Sequence, residues 1–187
     1  MKAAALAALA LLLAGCAAPG PADPTEPSPS PYADQLDAEV RGLSQQERED
    51  LLAGRGAGYA RPAELNGHPG PLHVLELADE LGLTPEQRDR FGGLYADMQA
   101  QAQPAGRRVV EAHADLEAAF RDGGLNETTL SALVADLEDA YGDYRLVHLR
   151  YHLLSKPLLT QHQLVEYDRL RGYGDGHDGA GHDHGGH

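Results

Sequence analysis

The chain has 187 residues, with 15 Lys+Arg against 29 Asp+Glu and a net charge of −14. That length allows one domain with tails, and the acidic balance argues against a nucleic-acid partner, because phosphate binding needs a basic face. Trp is absent and Phe occurs twice, so a core must come mainly from Leu, Ala and Val, which suits helices better than sheets.

The N-terminus opens with a short basic stretch, Met1-Lys2, and an Ala/Leu run from Ala3 to Leu13 that is too short to span a bilayer. It ends in Leu13-Ala14-Gly15-Cys16. This resembles a bacterial lipobox, in which the cysteine is lipidated and becomes the new N-terminus; the plainer alternative is an ordinary signal peptide with an incidental cysteine. The lipoprotein reading makes residues 1–15 a signal peptide and Cys16 the lipidation site. It tethers the rest to a membrane outside the cytoplasm, each buried acyl CH₂ contributing about 0.8 kcal/mol. Ala17, rather than Asp, after the cysteine favours the outer membrane where there are two (periplasm side). As the only cysteine, Cys16 excludes an internal disulfide, a Cys-based zinc finger and CxxC redox chemistry.

Residues 16–34 are rich in Pro, Ala and Ser and read as a disordered tether. Residues 35–67 hold a short helix and a loop. Ser44-Gln45-Gln46-Glu47 is a capping box that starts a helix through about Leu52. Gly54 to Gly58 breaks it, and Ala60 to Pro71, with Asn66-Gly67 and Pro69-Gly70, reads as a loop.

Residues 68–173 form the main helical region. Pro71 suits the first helical position of Leu72 to Leu81. Thr84-Pro85-Glu86-Gln87 combines an N-cap, a first-turn Pro and a third-position Gln, opening a helix towards Gln103. Pro104 and Gly106 are expected to kink or interrupt it, with the helical pattern resuming to Phe120. Gly123-Gly124 makes a turn. Asn126 caps a long helix to about Ser155, which Pro157 stops. Thr160-Gln161-His162-Gln163 then opens a last helix to about Leu170.

Leu130, Val134, Leu137, Tyr141, Tyr144, His148 and Tyr151 recur at steps of three and four, as do Val109, His113, Leu116 and Phe120. Each set is one apolar helix face. Folding at residue 124 gives an antiparallel helical hairpin, with the Leu72–Leu81 helix able to pack across its open end. A crude register about that turn sets residues 148–152 against Leu94 to Met98. No strand signal competes, so the expected fold class is all-α. Residues 174–187 are Gly, Asp, His and one Ala, a disordered His-rich tail.

His148 and His152 carry the sharpest chemical signal. Four residues apart on a helix, two imidazoles point the same way and can share a metal. The plainer alternative is a pair of buried histidines with hydrogen-bond partners. His73 sits in the first turn of the short helix, and His68 in the loop before it. The register brings Asp97 and Met98 near the His148/His152 level, where a carboxylate or thioether can complete a site. His113 reads as a core histidine and His162 as a solvated one. In the tail, His177, His182, His184 and His187 alternate with Gly and with Asp175, Asp178 and Asp183. Such a tract binds Zn²⁺, Ni²⁺ or Cu²⁺; a neutral solvated tail or an added tag are the alternatives.

The sequence contains no GxSxG, HExxH or P-loop motif, and the Asp136/Glu138/Asp139 acids read as a solvated helix face. The expectation is therefore a non-enzyme.

Leu83-Thr84-Pro85-Glu86-Gln87 and Leu159-Thr160-Gln161-His162-Gln163 are two LTxxQ motifs bracketing a helical hairpin in a secreted chain. Over roughly His68 to Tyr173 the chain resembles the Spy/CpxP superfamily of periplasmic proteins, including its CnrX-type and ZraP-type heavy-metal members. The resemblance implies a hooked hairpin of about four helices, usually a homodimer. Spy-like members are ATP-independent chaperones with a partly basic cradle, CpxP-like members bind a sensor kinase, CnrX-like members sense Ni²⁺ or Co²⁺, and ZraP-like members bind zinc. His148 falls where the sensors have their long-helix histidine, His152 takes the place of their methionine, and His73 matches their first short-helix histidine. Leu77 stands at about the second, and their glutamate has no clear equivalent, Asp97 being only nearby.

These readings converge on a lipid-anchored extracytoplasmic protein that binds a divalent transition metal (zinc, nickel, cobalt or copper) as a sensor or buffer. The candidate ligands are His73, His148, His152, Asp97 and Met98, with the four tail histidines beside them. The competing readings are a Spy-like chaperone or envelope-stress adaptor, whose partners are unfolded clients or a membrane sensor, and a helical lipoprotein with a structural role.

Overall fold

The computed structural model describes residues 30–174, so the signal peptide, Cys16, most of the tether and the tail histidines 177, 182, 184 and 187 lie outside the described residues. Two compact units are distinguished, residues 1–33 and 34–187. In the first, the described residues form a turn in which the Ala33 N–H donates to the Ser30 carbonyl at 3.1 Å.

The second unit is all-α. Its helices are α1 (Gln45–Ala53), α2 (Arg61–Glu64), α3 (Pro71–Glu76), α4 (Pro85–Asp122), α5 (Glu127–Ser155) and α6 (Gln161–Leu170), with no strand among the described residues. The caps sit where the sequence places them. The Glu47 N–H donates to Ser44 Oγ at 3.1 Å while Ser44 N–H donates to the Glu47 carboxylate at 2.9 Å. Asn126 Oδ1 accepts from the Thr129 N–H at 3.0 Å. Each such bond satisfies a donor that the first helical turn leaves open.

Three local expectations are overturned. The segment from Ala60 to Pro71 is not wholly a loop, because Arg61-Pro62-Ala63-Glu64 closes one helical turn, α2, with Pro62 in the first turn, where its missing N–H costs nothing. The helix expected to run to Leu81 stops at Glu76. Tighter turns carry the chain onward, and Ala78, Leu81 and Leu83 join Val74 in one buried cluster, burial that offsets the lost helical ladder. Finally, Pro104 does not interrupt α4, which runs unbroken for 38 residues. A mid-helix proline costs about 3 kcal/mol, yet Pro104 itself is exposed while Ala102, Gly106 and Val109 on the same stretch are buried. Packing of that face outweighs the proline penalty.

Gly106 is where α1 meets α4. A β-carbon there would stand 1.9 Å from the Leu51 carbonyl oxygen, so only glycine permits the approach. Leu51, Ala102, Val109, Leu137, Ala140 and Tyr144 form the apolar cluster around this crossing, with Val40 and Leu43. Between α4 and α5 the contacts pair Gln101 with Tyr151, Arg108 with Asp143 and His113 with Tyr141, so residue numbers rise along one helix as they fall along the other. The proposed inward stripe frays at the far end of these helices. Phe120 is 63% and Val134 42% exposed, because among the described residues no further element packs over the turn at Gly123-Gly124.

A second cluster, Val74, Ala78, Leu81, Leu83, Phe91, Leu159 and Tyr167, lies at the other end. Here the two LTxxQ segments meet. Thr84 and Thr160 each form a capping box with Gln87 and Gln163, and the two glutamine amides also bond to each other at 2.9 and 3.0 Å.

Candidate functional site

A cavity of about 440 Å³ is lined from the α1–α2 loop, α2, α3, α4, α5 and the segment that follows α6. His73, His148, His152 and Met98 all line it, as does Glu64. Ala57, in the loop along its edge, holds φ at +40°, a conformation that costs a non-glycine residue energy and clusters at functional sites.

His148 is 2% exposed. Its ring packs edge-on against Tyr144, with centroids 4.8 Å apart. Burial, reinforced by the neighbouring His152, depresses its pKa to about 4, so the ring is neutral at neutral pH. Its Nε2 is buried and has no hydrogen-bond partner. Such an atom is uncommon, because an unsatisfied buried polar group costs about 1–3 kcal/mol.

One turn further on, His152 is 8% exposed. Burial pushes its pKa down, partly opposed by the His68 carbonyl and by Glu64. Its Nδ1–H donates to the His68 carbonyl at 2.6 Å, with Glu64 Oε2 at 3.5 Å. A histidine whose Nδ1–H is taken by a carbonyl presents Nε2 as a free lone pair, the arrangement that orients a metal-binding imidazole. Gly70 makes room for this ring: a β-carbon there would lie 2.9 Å from His152 Nε2.

Glu64, which the sequence reading left in a loop without a role, is the hub of the site. It is 7% exposed. Its Oε1 accepts a short hydrogen bond from the Tyr167 hydroxyl and lies 3.5 Å from the Tyr173 hydroxyl, 3.4 Å from His73 Nδ1 and 3.5 Å from Arg171 Nε. Its Oε2 accepts from the Gly70 N–H at 3.3 Å. Burial raises its pKa, but the bonds from His73 and Tyr167 and the adjoining imidazoles more than reverse this, so the carboxyl is held below the ordinary glutamate value. The only advance signal was Pro62 two residues before it.

Asp97 is exposed and does not line the cavity. With Gln101 opposite Tyr151, the true pairing of the helices is offset from the crude register, and the carboxylate near the histidines is Glu64, not Asp97. Met98, 5% exposed, does reach the cavity. His113 is half-buried, bonded to the Tyr141 hydroxyl at 2.8 Å, and His162 is exposed. Among the described residues, no group of three or more His, Cys, Asp or Glu is set out to hold a metal ion.

No protein-family model, no curated protein and no solved structure matches this chain.

Proposed function

We propose that this protein binds a transition-metal ion in the cavity, as a lipid-anchored extracytoplasmic sensor or buffer of the Spy/CpxP kind. The carrying observation is the pair His148 and His152: two buried imidazoles one helical turn apart, one with an unpartnered Nε2 and the other with its Nδ1–H fixed by a backbone carbonyl. The donor chemistry fits an ion of intermediate softness, with two neutral imidazoles and the Met98 thioether among the residues lining the cavity. His148 and His152 would hold the metal, with His73 and Met98 within the same cavity to complete its shell. If His73 joined His148 and His152 as a ligand, the ion would tie α3 to α5. To signal, it must bind two states of the protein with different affinity. The paired contacts of α4 and α5 and the reciprocal glutamine clasp support the hooked-hairpin reading.

The test is calorimetric titration of Zn²⁺, Ni²⁺, Co²⁺ and Cu²⁺ into the full chain carrying His177→Ala, His182→Ala, His184→Ala and His187→Ala. Micromolar or tighter one-site binding that disappears in a further His148→Ala/His152→Ala variant supports the reading. Absence of such binding overturns it.

One observation favours the chaperone reading as a second. Leu146, Leu153 and Leu154 on α5 are all about half exposed or more, a surface an unfolded client can use. Suppression of client aggregation without metal, lost on replacing these leucines with serine, would place that reading first.

A further inference from the structure

Helix α5 has two faces, and the fold uses one of them. Leu137, Ala140, Tyr144, His148 and Tyr151 on the inward face are buried. The opposite face carries Ala135, Asp139, Gly142, Leu146, Leu149 and Leu153 in one line, at alternating steps of four and three. That is the spacing of a seam along which one helix packs on another. All six are exposed except Leu149, which is half-buried, and Leu146 and Leu153 are 52% and 62% exposed. Space is open at Gly142, where a β-carbon would meet nothing within 4 Å.

The same helix is divided in charge. Its first part carries Glu127, Asp136, Glu138, Asp139 and Asp143 with no Lys or Arg, and from Tyr144 to Lys156 it carries Arg145, Arg150 and Lys156 with no Asp or Glu. The acidic half holds the small residues of the line, Ala135 and Gly142, and the basic half holds its leucines. An anionic bilayer is attracted to the basic half and repelled by the acidic one. An unfolded client has no fixed charge pattern to match either. The partner that meets both halves at once is another α5 running the opposite way, because a two-fold axis sets each half against its complement.

We propose that the outward face of α5 binds the same face of a second copy of this chain, the two helices antiparallel about a two-fold axis beside residues 147 and 148. In that register Leu153 faces the partner's Gly142, Leu146 faces the partner's Leu149, and Asp139 faces the partner's Lys156. Arg150 lies beside the partner's Asp143, a carboxylate that already meets Arg108 of its own chain and retains acceptor sites. Symmetry makes each pair occur twice. From Asp139 to Lys156 the contact runs about 25 Å along each helix. One helix pair of that length is small beside a standard interface, so association is expected in the micromolar range. The face lies opposite the buried His148, and dimerisation stands apart from metal binding in the cavity.

The experiment is sedimentation velocity on the full chain carrying Cys16→Ser, which removes lipidation and disulfide formation, from low to several hundred micromolar. A monomer–dimer equilibrium is expected. Leu146→Ser/Leu153→Ser should weaken it about tenfold or more. Lys156→Asp sets like charges opposite each other twice and should weaken it by a similar factor. Adding Asp139→Lys to that variant recreates both pairs with their signs exchanged and should restore the dimer, a rescue that a role of Lys156 within its own chain would not give. Thermal melts check that each variant folds. A protein that stays monomeric throughout overturns the proposal, as does a dimer indifferent to the leucine substitutions or one that the double exchange fails to restore. If the monomer instead pellets with phosphatidylcholine–phosphatidylglycerol vesicles, or suppresses client aggregation, and loses this with Leu146→Ser/Leu153→Ser, the face belongs to a membrane or a client and the proposal falls.

Discussion

Gln87 and Gln163 hold each other by both ends of their side-chain amides, Nε2 of each donating to Oε1 of the other at 2.9 and 3.0 Å. Each is also the third residue of its own capping box. Gln87 Nε2 reaches the Leu158 carbonyl at 2.8 Å and Gln163 Nε2 the Leu81 carbonyl at 3.3 Å. The two LTxxQ segments, 76 residues apart, therefore act as one clasp that ties the start of α4 to the start of α6. Gln163→Ala should destabilise the protein by about 2 kcal/mol, combining a lost cap and a lost buried bond. A double-mutant cycle with Gln87→Ala, read by denaturant unfolding, should return a coupling of roughly 0.5 kcal/mol or more. Additive effects would mean that the clasp contributes nothing beyond its two caps.

Glu64 binds the α2 turn to α6 through Tyr167. Tyr167→Phe leaves a buried carboxylate oxygen short of its strongest donor and should cost about 1–3 kcal/mol. Because the folded pKa of Glu64 is lowered, its contribution is present above the ordinary glutamate value and lost as pH falls through the folded one. In Glu64→Gln the acid limb of the stability–pH curve should flatten; an unchanged limb would deny Glu64 this role.

His148 produces a second acid-dependent loss, in a different window. Its pKa is ordinarily 6.5 and about 4 in the fold, so between these values the unfolded chain binds a proton that the folded chain does not. The contribution is complete above pH 6.5 and declines as pH drops towards 4, by on the order of 3 kcal/mol in total. NMR titration should show the His148 ring unprotonated at pH 5.5, and a ring that titrates near 6.5 would contradict the burial argument.

His148→Leu gives a related test. With Nε2 unpartnered, removing the polar atom relieves its desolvation, and stability at pH 7 should change by less than about 1 kcal/mol or rise. Metal binding should vanish. A loss of several kcal/mol would show instead that the histidine is held in place for packing.

Two glycines separate fold from site. Gly106→Ala drives a methyl group into the Leu51 carbonyl and should displace α1 or unfold the chain, costing 3 kcal/mol or more on the scale of overpacked cores (roughly 1–3 kcal/mol, occasionally more). Gly70→Ala presses first on the His152 ring, a side chain rather than backbone. It should weaken metal binding more than it lowers the melting temperature.

The helices of this protein were legible in the chain because their signals are local. Ser44, Thr84, Asn126 and Thr160 each cap a helix within three residues of themselves, and the i,i+4 spacing of His148 and His152 placed them on one face before any fold was known. What reached beyond a few residues was not legible. Pro104 was tolerated because distant partners packed the opposite face. Val134 and Phe120 were left exposed because none did. Glu64 had no periodicity to mark it, and gained its meaning only when α3, α5 and α6 delivered His73, His152 and Tyr167 to its two oxygens. Caps and amphipathic faces are set by neighbours along the chain, so sequence by itself determined an all-α protein with a histidine pair. Burial, the unpartnered Nε2 and the cavity depend on residues brought together from six separate segments, and only the tertiary structure could decide them.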